Sequence, residues 1–449
     1  MDDLIISVSG IRGVYGDSLT EKHAFDIGIA FGLWTKQEKV IVGRDTRPSG
    51  NQLAKSFIQG LLKAGKNVYD AGIVPTPAIT WFVEKHTDFV GAVITASHNP
   101  LQYNGIKLIS SKGTFLNPEE FEDFLAFFKD TKQNRKTKTG QYFSYNKLMD
   151  EFFIALFKCI DTHTIKENKF KVVVDPVQGA GSLHSKRFLE MLGCDVLMVN
   201  DIPIGEFSHN PEPIPDHLKE LSKAVKDNCA TVGFAQDPDC DRLALVLEDG
   251  NFVSEEQGLA LLIKWMLNKK KGCVVVNNAT TKIIEDICNQ IGVNLFRTKV
   301  GEVYVVEKMK EVNAVAGGEG NGGVVFPDFH YGRDSFAGMA LALEMMAKNG
   351  MKLSQFVNEL PRYFFVKRKV SFPVNRIGVL YDCLEKEFIS GKKDYTDGLR
   401  IDFEDAWLGI RPSGTEPIIR VFVEGKNENK VTSILKTIEQ YLISCGKNL

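Results

Sequence analysis

The chain has 449 residues, 43% of them hydrophobic and 25% charged, with a formal net charge of −2. That length favours several domains, roughly three at about 150 residues each. The near-neutral balance gives no global pull toward nucleic acid or an anionic membrane, so an anionic ligand must be captured by local basic groups.

No apolar run approaches the ~18 residues that span a bilayer. The start, Met1-Asp2-Asp3, is acidic where a signal peptide is basic. Eight scattered cysteines without paired CxxC spacing fit reduced thiols better than a disulfide frame. The expectation is a soluble cytoplasmic protein.

Short β-rich runs alternate with longer helical patterns, which points to α/β units. Gly10-Ile11-Arg12-Gly13 is a glycine-bearing loop with a cation. Val40-Ile41-Val42-Gly43 opens a first strand–loop–helix unit, with further cations in Gly43-Arg44-Asp45-Thr46-Arg47 and a helix expected from Leu53 to Ala64. Phe89-Val90-Gly91-Ala92-Val93-Ile94 reads as a strand ending in an exposed loop, Thr95-Ala96-Ser97-His98-Asn99-Pro100. Asn104-Gly105-Ile106-Lys107 adds a cation just beyond it. The polar stretch from Lys129 to Lys138 reads as a solvated linker.

Phe170-Lys171-Val172-Val173-Val174-Asp175 opens a second unit, followed by the loop Gly179-Ala180-Gly181-Ser182 and a helix from Lys186 to Leu192. Asp237-Pro238-Asp239-Cys240-Asp241-Arg242 follows the apolar run Ala230 to Ala235, and Leu243 to Leu247 is strand-like. Cys273-Val274-Val275-Val276 opens a third unit, with a helix from Thr281 to Ile291. Thr298-Lys299-Val300-Gly301-Glu302 and the glycine run from Gly317 to Gly323 come next. After about Val370, strand-like segments surround Arg411-Pro412-Ser413-Gly414-Thr415-Glu416-Pro417, and a helix covers 430–445. Four units follow: 1–145, 146–252, 253–366 and 367–449.

Ser97 is a hydroxyl held after a strand, where a nucleophile for phosphoryl transfer can sit. Asp237, Asp239 and Asp241 repel one another strongly unless solvated or neutralised by a cation. Their hard oxygens suit Mg²⁺. A calcium hand matches Asp237, Asp239, Asp241 and Glu248 by spacing, but Arg242 stands where its sharp-turn glycine belongs, and a strand follows. Gly318, Gly320 and Gly323 spell a literal GxGxxG, yet β-like Val324-Val325 follows instead of a helix, which excludes a dinucleotide site. In that turn Glu319 and Asn321 can bind sugar hydroxyls. Arg411, Ser413, Gly414 and Thr415 combine a guanidinium, hydroxyls and flexible backbone suited to a phosphate, with Arg420 just downstream.

Together these motifs resemble the α-D-phosphohexomutase family, which includes phosphoglucomutases, phosphomannomutases and phosphoglucosamine mutases. The resemblance covers essentially the whole chain in motif order. It implies three similar mixed α/β domains and a smaller α+β C-terminal domain around a central cleft. It makes Ser97 the phosphoserine and Asp237, Asp239 and Asp241 the Mg²⁺ ligands beside a phosphoserine oxygen. Arg12 and Lys107 resemble the cations near the transferred phosphate, Lys107 as a general acid/base, with His98 a further catalytic candidate. Arg242, Lys299, Glu319 and Asn321 match substrate positions, and Arg411, Ser413, Gly414 and Thr415 the distal-phosphate loop.

The implied reaction moves phosphate between O6 and O1 of a hexose through a hexose 1,6-bisphosphate, in a monomer or homodimer that binds neither nucleic acid nor membrane. Asn321 stands where serine is common, and Pro238 and Cys240 where glycine and alanine are. The glycine-rich sugar loop with Tyr331-Gly332-Arg333-Asp334 resembles the phosphoglucosamine mutase branch, which makes glucosamine 6-phosphate the expected substrate. The alternatives are a phosphoglucomutase/phosphomannomutase, a non-catalytic phosphosugar-binding regulator, and a phosphatase acting through the same serine.

Overall fold

The structure, a computed structural model, describes residues 4–130, 139–413 and 418–446. Most of the expected linker, 131–138, and Gly414 and Thr415 of the distal-phosphate motif lie outside the described residues.

Four sheets succeed one another along the chain. The first contains β1 (Ile5–Ser7), β2 (Gly10–Val14), β3 (Lys39–Arg44), β4 (Asn67–Ile73), β5 (Phe89–Ile94), β6 (Tyr103–Ile109) and β7 (Tyr142–Ser144) in the order β1-β2-β6-β5-β3-β4-β7. The second contains β8 (Lys171–Asp175), β9 (Asp195–Met198), β10 (Val232–Gln236), β11 (Leu243–Val246) and β12 (Phe252–Val253), ordered β12-β11-β10-β8-β9. The third has β13 (Val274–Asn277), β14 (Leu295–Thr298), β15 (Ala316–Glu319) and β16 (Gly323–Val325), ordered β14-β13-β15-β16. The fourth has β17 (Phe364–Ser371), β18 (Lys392–Asp394), β19 (Leu399–Asp402), β20 (Ala406–Pro412) and β21 (Ile418–Gly425), ordered β17-β21-β20-β19-β18.

The first three sheets share one plan. Their central strands pair in parallel, β3 with β4 and β5, β8 with β9 and β10, and β13 with β14 and β15. The middle strand of each trio, β3, β8 and β13, is rich in valine and isoleucine, as expected of a parallel strand covered on both faces. In each sheet the last parallel strand then turns straight into an antiparallel neighbour: β5 into β6, β10 into β11, β15 into β16. The fourth sheet is antiparallel throughout. The three-plus-one architecture is therefore as the resemblance implied.

The expected helices are present with bounds within three residues of the sequence reading, except at one start. The helix of the second unit spans Gly181–Met191 and so begins in the segment read as loop. Its entry is fixed from outside: the Ala180 amide donates to the Pro238 carbonyl at 2.8 Å. A side chain on Gly179 would lie 2.5 Å from the Pro238 Cα, so only glycine permits this approach to the Asp237–Arg242 loop.

One apolar core joins the first three units. Trp81 stacks on Phe329 with centroids 6.1 Å apart, and Phe188 meets Phe336 edge-on at 5.2 Å. The fourth unit has its own core, including Leu380, Leu408, Val421 and Ile434. Its links to the third are polar: Arg400 Nη1 to the Asn278 carbonyl at 2.6 Å, the Lys282 amide to Glu424 Oε2 at 2.7 Å, and Lys367 Nζ to Glu256 Oε1 at 2.7 Å. Polar contacts exchange for water at little net cost, whereas a shared apolar core does not. The fourth unit is thus the one that can separate most easily. No helix among the described residues is long and apolar enough to cross a membrane.

Candidate active site

The four loops singled out in the sequence occupy equivalent places. Each links two adjacent antiparallel strands: 95–102 joins β5 to β6, 237–242 joins β10 to β11, 320–322 joins β15 to β16, and 413–417 joins β20 to β21. Residues of the first three links, and Ser413 at the start of the fourth, line a common cavity of about 960 Å³. Its lining includes Arg12, Ser97, His98, Lys107, Arg242, Glu319, Asn321, Arg411, Ser413 and Arg420.

Ser97 is not in an exposed loop as the sequence suggested; it is 2% exposed, because the second unit folds over it. Its Oγ donates to Asp237 Oδ2 at 2.8 Å, across 140 residues of sequence. His98 Nδ1 lies 3.4 Å from the same Oγ. Ser97 has φ +50°, a left-handed conformation unusual for a residue with a side chain. The surroundings over-determine it. Arg47, fully buried, donates Nη2 to the carbonyls of Ser97 and Asn99, both at 2.6 Å, and Nη1 to those of Pro100 and Tyr103, both at 2.8 Å. Asp45 holds Arg47 Nε at 3.2 Å and accepts from Thr95 Oγ1 at 2.6 Å, while Thr95 Oγ1 accepts from the Ser97 amide at 2.9 Å. The sequence reading noted Arg47 only as one more loop cation; its clamp reaches a loop whose Ser97 lies 50 positions further along the chain, so only folding reveals it.

The three aspartates are fully buried, with ligand oxygens all within 4.8 Å of one another. Lys107 Nζ donates to Asp239 Oδ2 at 2.6 Å and Asp241 Oδ2 at 3.3 Å. Thr76 Oγ1 also donates to Asp239 Oδ2, at 2.6 Å. Asp239 Oδ1 and Asp241 Oδ1 are buried without a hydrogen-bond partner. Two orphaned carboxylate oxygens beside a third acid are the donor set a hard divalent cation requires, so these residues fit Mg²⁺.

Electrostatics divide the trio. Burial, then the neighbouring Asp241 and Asp239, pushes the Asp237 carboxyl well up. Burial also opposes ionisation of Asp241, but Arg333, Lys107 and Arg242 overcome it and hold that carboxyl well below the usual range. Lys107 is buried, yet Asp239 and Asp241 keep its ammonium charged. Burial, reinforced by Arg242 and Arg12, drives the His98 imidazole down, so that it is neutral. Arg12 reaches Asn99 Oδ1 at 2.7 Å.

On the sugar-loop side, Glu319 Oε1 accepts from Asn277 Nδ2 at 2.9 Å and from the Gly301 amide at 2.8 Å. Asn321 Oδ1 accepts from the Gly323 amide at 3.3 Å. In the fourth unit, Arg411 Nη1 meets Asp397 Oδ2 at 3.3 Å, and the Ser413 amide closes the hairpin on the Ile418 carbonyl at 2.9 Å. Lys299 is the exception among the expected substrate residues. It is exposed and is not among the residues lining the cavity, with its ammonium 6.0 Å from the Tyr304 ring centroid.

Glu256 and Lys367 were not anticipated and both line the cavity. Lys367 Nζ bridges Glu256 Oε1 and the Gly320 carbonyl, at 2.7 and 3.0 Å, and so ties the fourth unit to the sugar loop. Burial outweighs Lys367 and raises the Glu256 carboxyl to about 7. A folded value above the unfolded one means that the protonated form stabilises the fold at low pH, and that this contribution is lost as pH rises through about 7. Glu256→Gln therefore flattens the fall of the unfolding midpoint between about pH 5 and 8, a fall worth at most about 3 kcal/mol in the parent protein. Thermal unfolding of both proteins across that range checks it; parallel curves would contradict it.

Ser97 beside a buried aspartate trio that fits a divalent cation, with Glu319 and Arg411 lining the adjoining cavity, is the arrangement expected of a four-domain enzyme that handles phosphorylated compounds. Comparison with known proteins agrees. Family models for phosphoglucomutase/phosphomannomutase match in order: α/β/α domain I over residues 4–135, domain II over 150–250, domain III over 254–364 and the C-terminal domain over 382–440. The chain belongs to this family, the α-D-phosphohexomutases. It is 40% identical to a phosphoglucomutase/phosphomannomutase of Thermococcus kodakarensis, over 95% of this chain and 96% of that one. It is 34% identical to a probable phosphoglucosamine mutase of Pyrococcus abyssi, over 96% of each. A crystal structure of a family protein from Burkholderia thailandensis superposes with a TM-score of 0.87 at 27% identity, covering 99% of this chain and 100% of that one.

Proposed function

We propose that this phosphohexomutase interconverts glucosamine 6-phosphate and glucosamine 1-phosphate through phosphorylated Ser97 and a glucosamine 1,6-bisphosphate. The observation that carries the mutase chemistry is the 2.8 Å bond from Ser97 Oγ to Asp237 within the buried aspartate trio. The glycine-rich sugar loop and the phosphoglucosamine mutase relatives support the amino sugar. The 40% identical relative favours a second reading, glucose or mannose phosphates handled by the same mechanism.

In this reading the P–Oγ bond of phosphoserine breaks as a sugar hydroxyl attacks phosphorus. After the bisphosphate turns over in the cleft, its other phosphate returns to Ser97. Bound Mg²⁺, held by Asp237, Asp239 and Asp241, supplies positive charge to the transferring phosphoryl group. Phosphoserine adds about −2 next to the acids, so Arg12, Lys107 and Arg242 offset charge at the serine end. Lys107 serves as the general acid/base, giving a proton to the leaving Ser97 oxygen and recovering the one the attacking hydroxyl loses, and His98 positions the serine hydroxyl. Glu319 and Asn321 bind sugar hydroxyls, and Arg411, Ser413, Gly414 and Thr415 hold the distal phosphate. Lys299 is left without an assigned role. A cytoplasmic location and a monomer or homodimer complete the proposal.

Incubation with the 6-phosphates of glucosamine, N-acetylglucosamine, glucose and mannose, followed by phosphorus NMR with inorganic phosphate assayed in parallel, tests it. Fastest conversion of glucosamine 6-phosphate is expected. Faster conversion of glucose or mannose 6-phosphate selects the second reading; net phosphate release marks a phosphatase, and no change an inert binder.

A further inference from the structure

Arg333 belongs to none of the four loops, yet it touches two of them. It pairs through an isolated bridge with Val325 at the end of β16, just before the helix Ser335–Asn349. Its side chain runs back over Gly323, the last glycine of the sugar-loop run. A Cβ on Gly323 would lie 2.2 Å from Arg333 Cδ and 2.9 Å from Cγ. That glycine, which spells the final letter of the dinucleotide-like motif, is therefore there to admit an arginine rather than a nucleotide.

The guanidinium places each nitrogen on a different carboxylate. Nη2 donates to Asp241 Oδ2 at 2.6 Å, Nε to Glu302 Oε2 at 2.8 Å, and Nη1 lies 3.0 Å from Glu319 Oε2. The Arg333 amide adds a bond to Glu302 Oε1 at 3.3 Å. Its side chain is 10% exposed, and Asp241 and Glu319 are at most 4% exposed. One rigid, permanently charged fork thus spans the cation loop of the second unit and the sugar loop of the third. A lysine has the charge but not three donors in fixed directions.

We propose that Arg333 is a positioning residue that couples the divalent-cation site to the sugar site. A sugar hydroxyl that draws on Glu319 changes the share of the guanidinium left to Asp241, and a cation on Asp241 changes the share left to Glu319. Linkage makes the effect equal in both directions. The inference rests on the mutase reading for what occupies the sugar side.

Its test is a binding measurement that needs no turnover. The Mn²⁺ affinity of the unphosphorylated full chain is measured by electron paramagnetic resonance, with and without saturating glucosamine 6-phosphate or glucose 6-phosphate. In the parent protein the sugar phosphate is expected to shift the Mn²⁺ dissociation constant at least about five-fold. In Arg333→Met and Arg333→Lys the shift is expected to shrink to within about two-fold. Arg333→Met still binds Mn²⁺ without sugar, and no more weakly, because a cation has been removed from beside Asp241. Gly323→Ala keeps the charge but displaces the side chain, and loses the coupling too; it serves if Arg333→Met fails to fold. Coupling that persists in the variants, or is absent from the parent protein, would overturn the proposal. So would loss of Mn²⁺ binding itself, which would make Arg333 a scaffold of the cation loop. Absence of mutase turnover with the coupling intact would instead overturn the function proposed above.

Discussion

Ser97→Ala is expected to lower kcat by at least about 10⁴-fold, because it removes the oxygen proposed to carry the phosphoryl group and leaves nothing in reach to replace it. The nearest side-chain atom of its own loop with comparable chemistry, His98 Nδ1, lies 3.4 Å from the serine oxygen and is part of a neutral, largely buried ring. The stability cost is small by comparison. The hydroxyl bonds to Asp237 at 2.8 Å and has a longer contact with His98 Nδ1 at 3.4 Å, whose loss together costs about 1–2 kcal/mol. The loop itself is held by Arg47 through main-chain carbonyls that the substitution does not touch. The unfolding midpoint is therefore expected to fall by only about 2–6 °C. Turnover of hexose 6-phosphate, thermal unfolding and intact mass are measured on the same preparations. The parent protein acquires one phosphoryl group when incubated with a hexose 1,6-bisphosphate, and the variant does not. Mutase activity surviving in clean variant protein would remove Ser97 from the mechanism; lost activity with lost folding would leave intact mass of the folded fraction as the deciding readout.

The parts of this site that were legible in the sequence are those whose chemistry is contiguous. Asp237, Asp239 and Asp241 announce a cation because three acids within five residues have few other uses. Ser97 follows the apolar strand β5, so its place at a strand end follows from local patterning although its burial does not, whereas Glu319, read as part of a glycine turn, is the last residue of β15. What stayed hidden depends on distant pairing. Arg333 reaches Asp241 across 92 residues, Thr76 reaches Asp239 across 163, and Lys367 reaches Glu256 across 111. No local pattern marks these side chains out from solvated ones. Lys299 is the opposite case: its motif is contiguous, yet its side chain is exposed near the Tyr304 ring and is not among the residues lining the cavity. The equivalence of the hairpin links was also invisible, because it lies in strand pairing rather than in residues.

Lys107→Met is expected to destabilise the metal-free protein by about 3–5 kcal/mol, the cost of leaving buried carboxylates without their counter-charge. Lys107 is 2% exposed, and its ammonium serves Asp239 and Asp241 together. With it gone, Asp239 Oδ2 retains Thr76 and Asp241 Oδ2 retains Arg333, while both Oδ1 atoms remain without a hydrogen-bond partner as before. Added Mg²⁺ then has more negative charge to neutralise than in the parent protein. At about 100 times its dissociation constant, a ligand specific for the folded state contributes about 2.7 kcal/mol. The Mg²⁺-induced rise in unfolding midpoint is therefore expected to be larger in Lys107→Met than in the parent. Adding Asp239→Asn should abolish the difference, since it removes a ligand and one of the uncompensated charges together. Thermal unfolding of the three proteins across a Mg²⁺ titration measures this directly. Equal shifts in all three would mean that the cation binds elsewhere, and that Lys107 and the aspartates form only an internal ion-pair network.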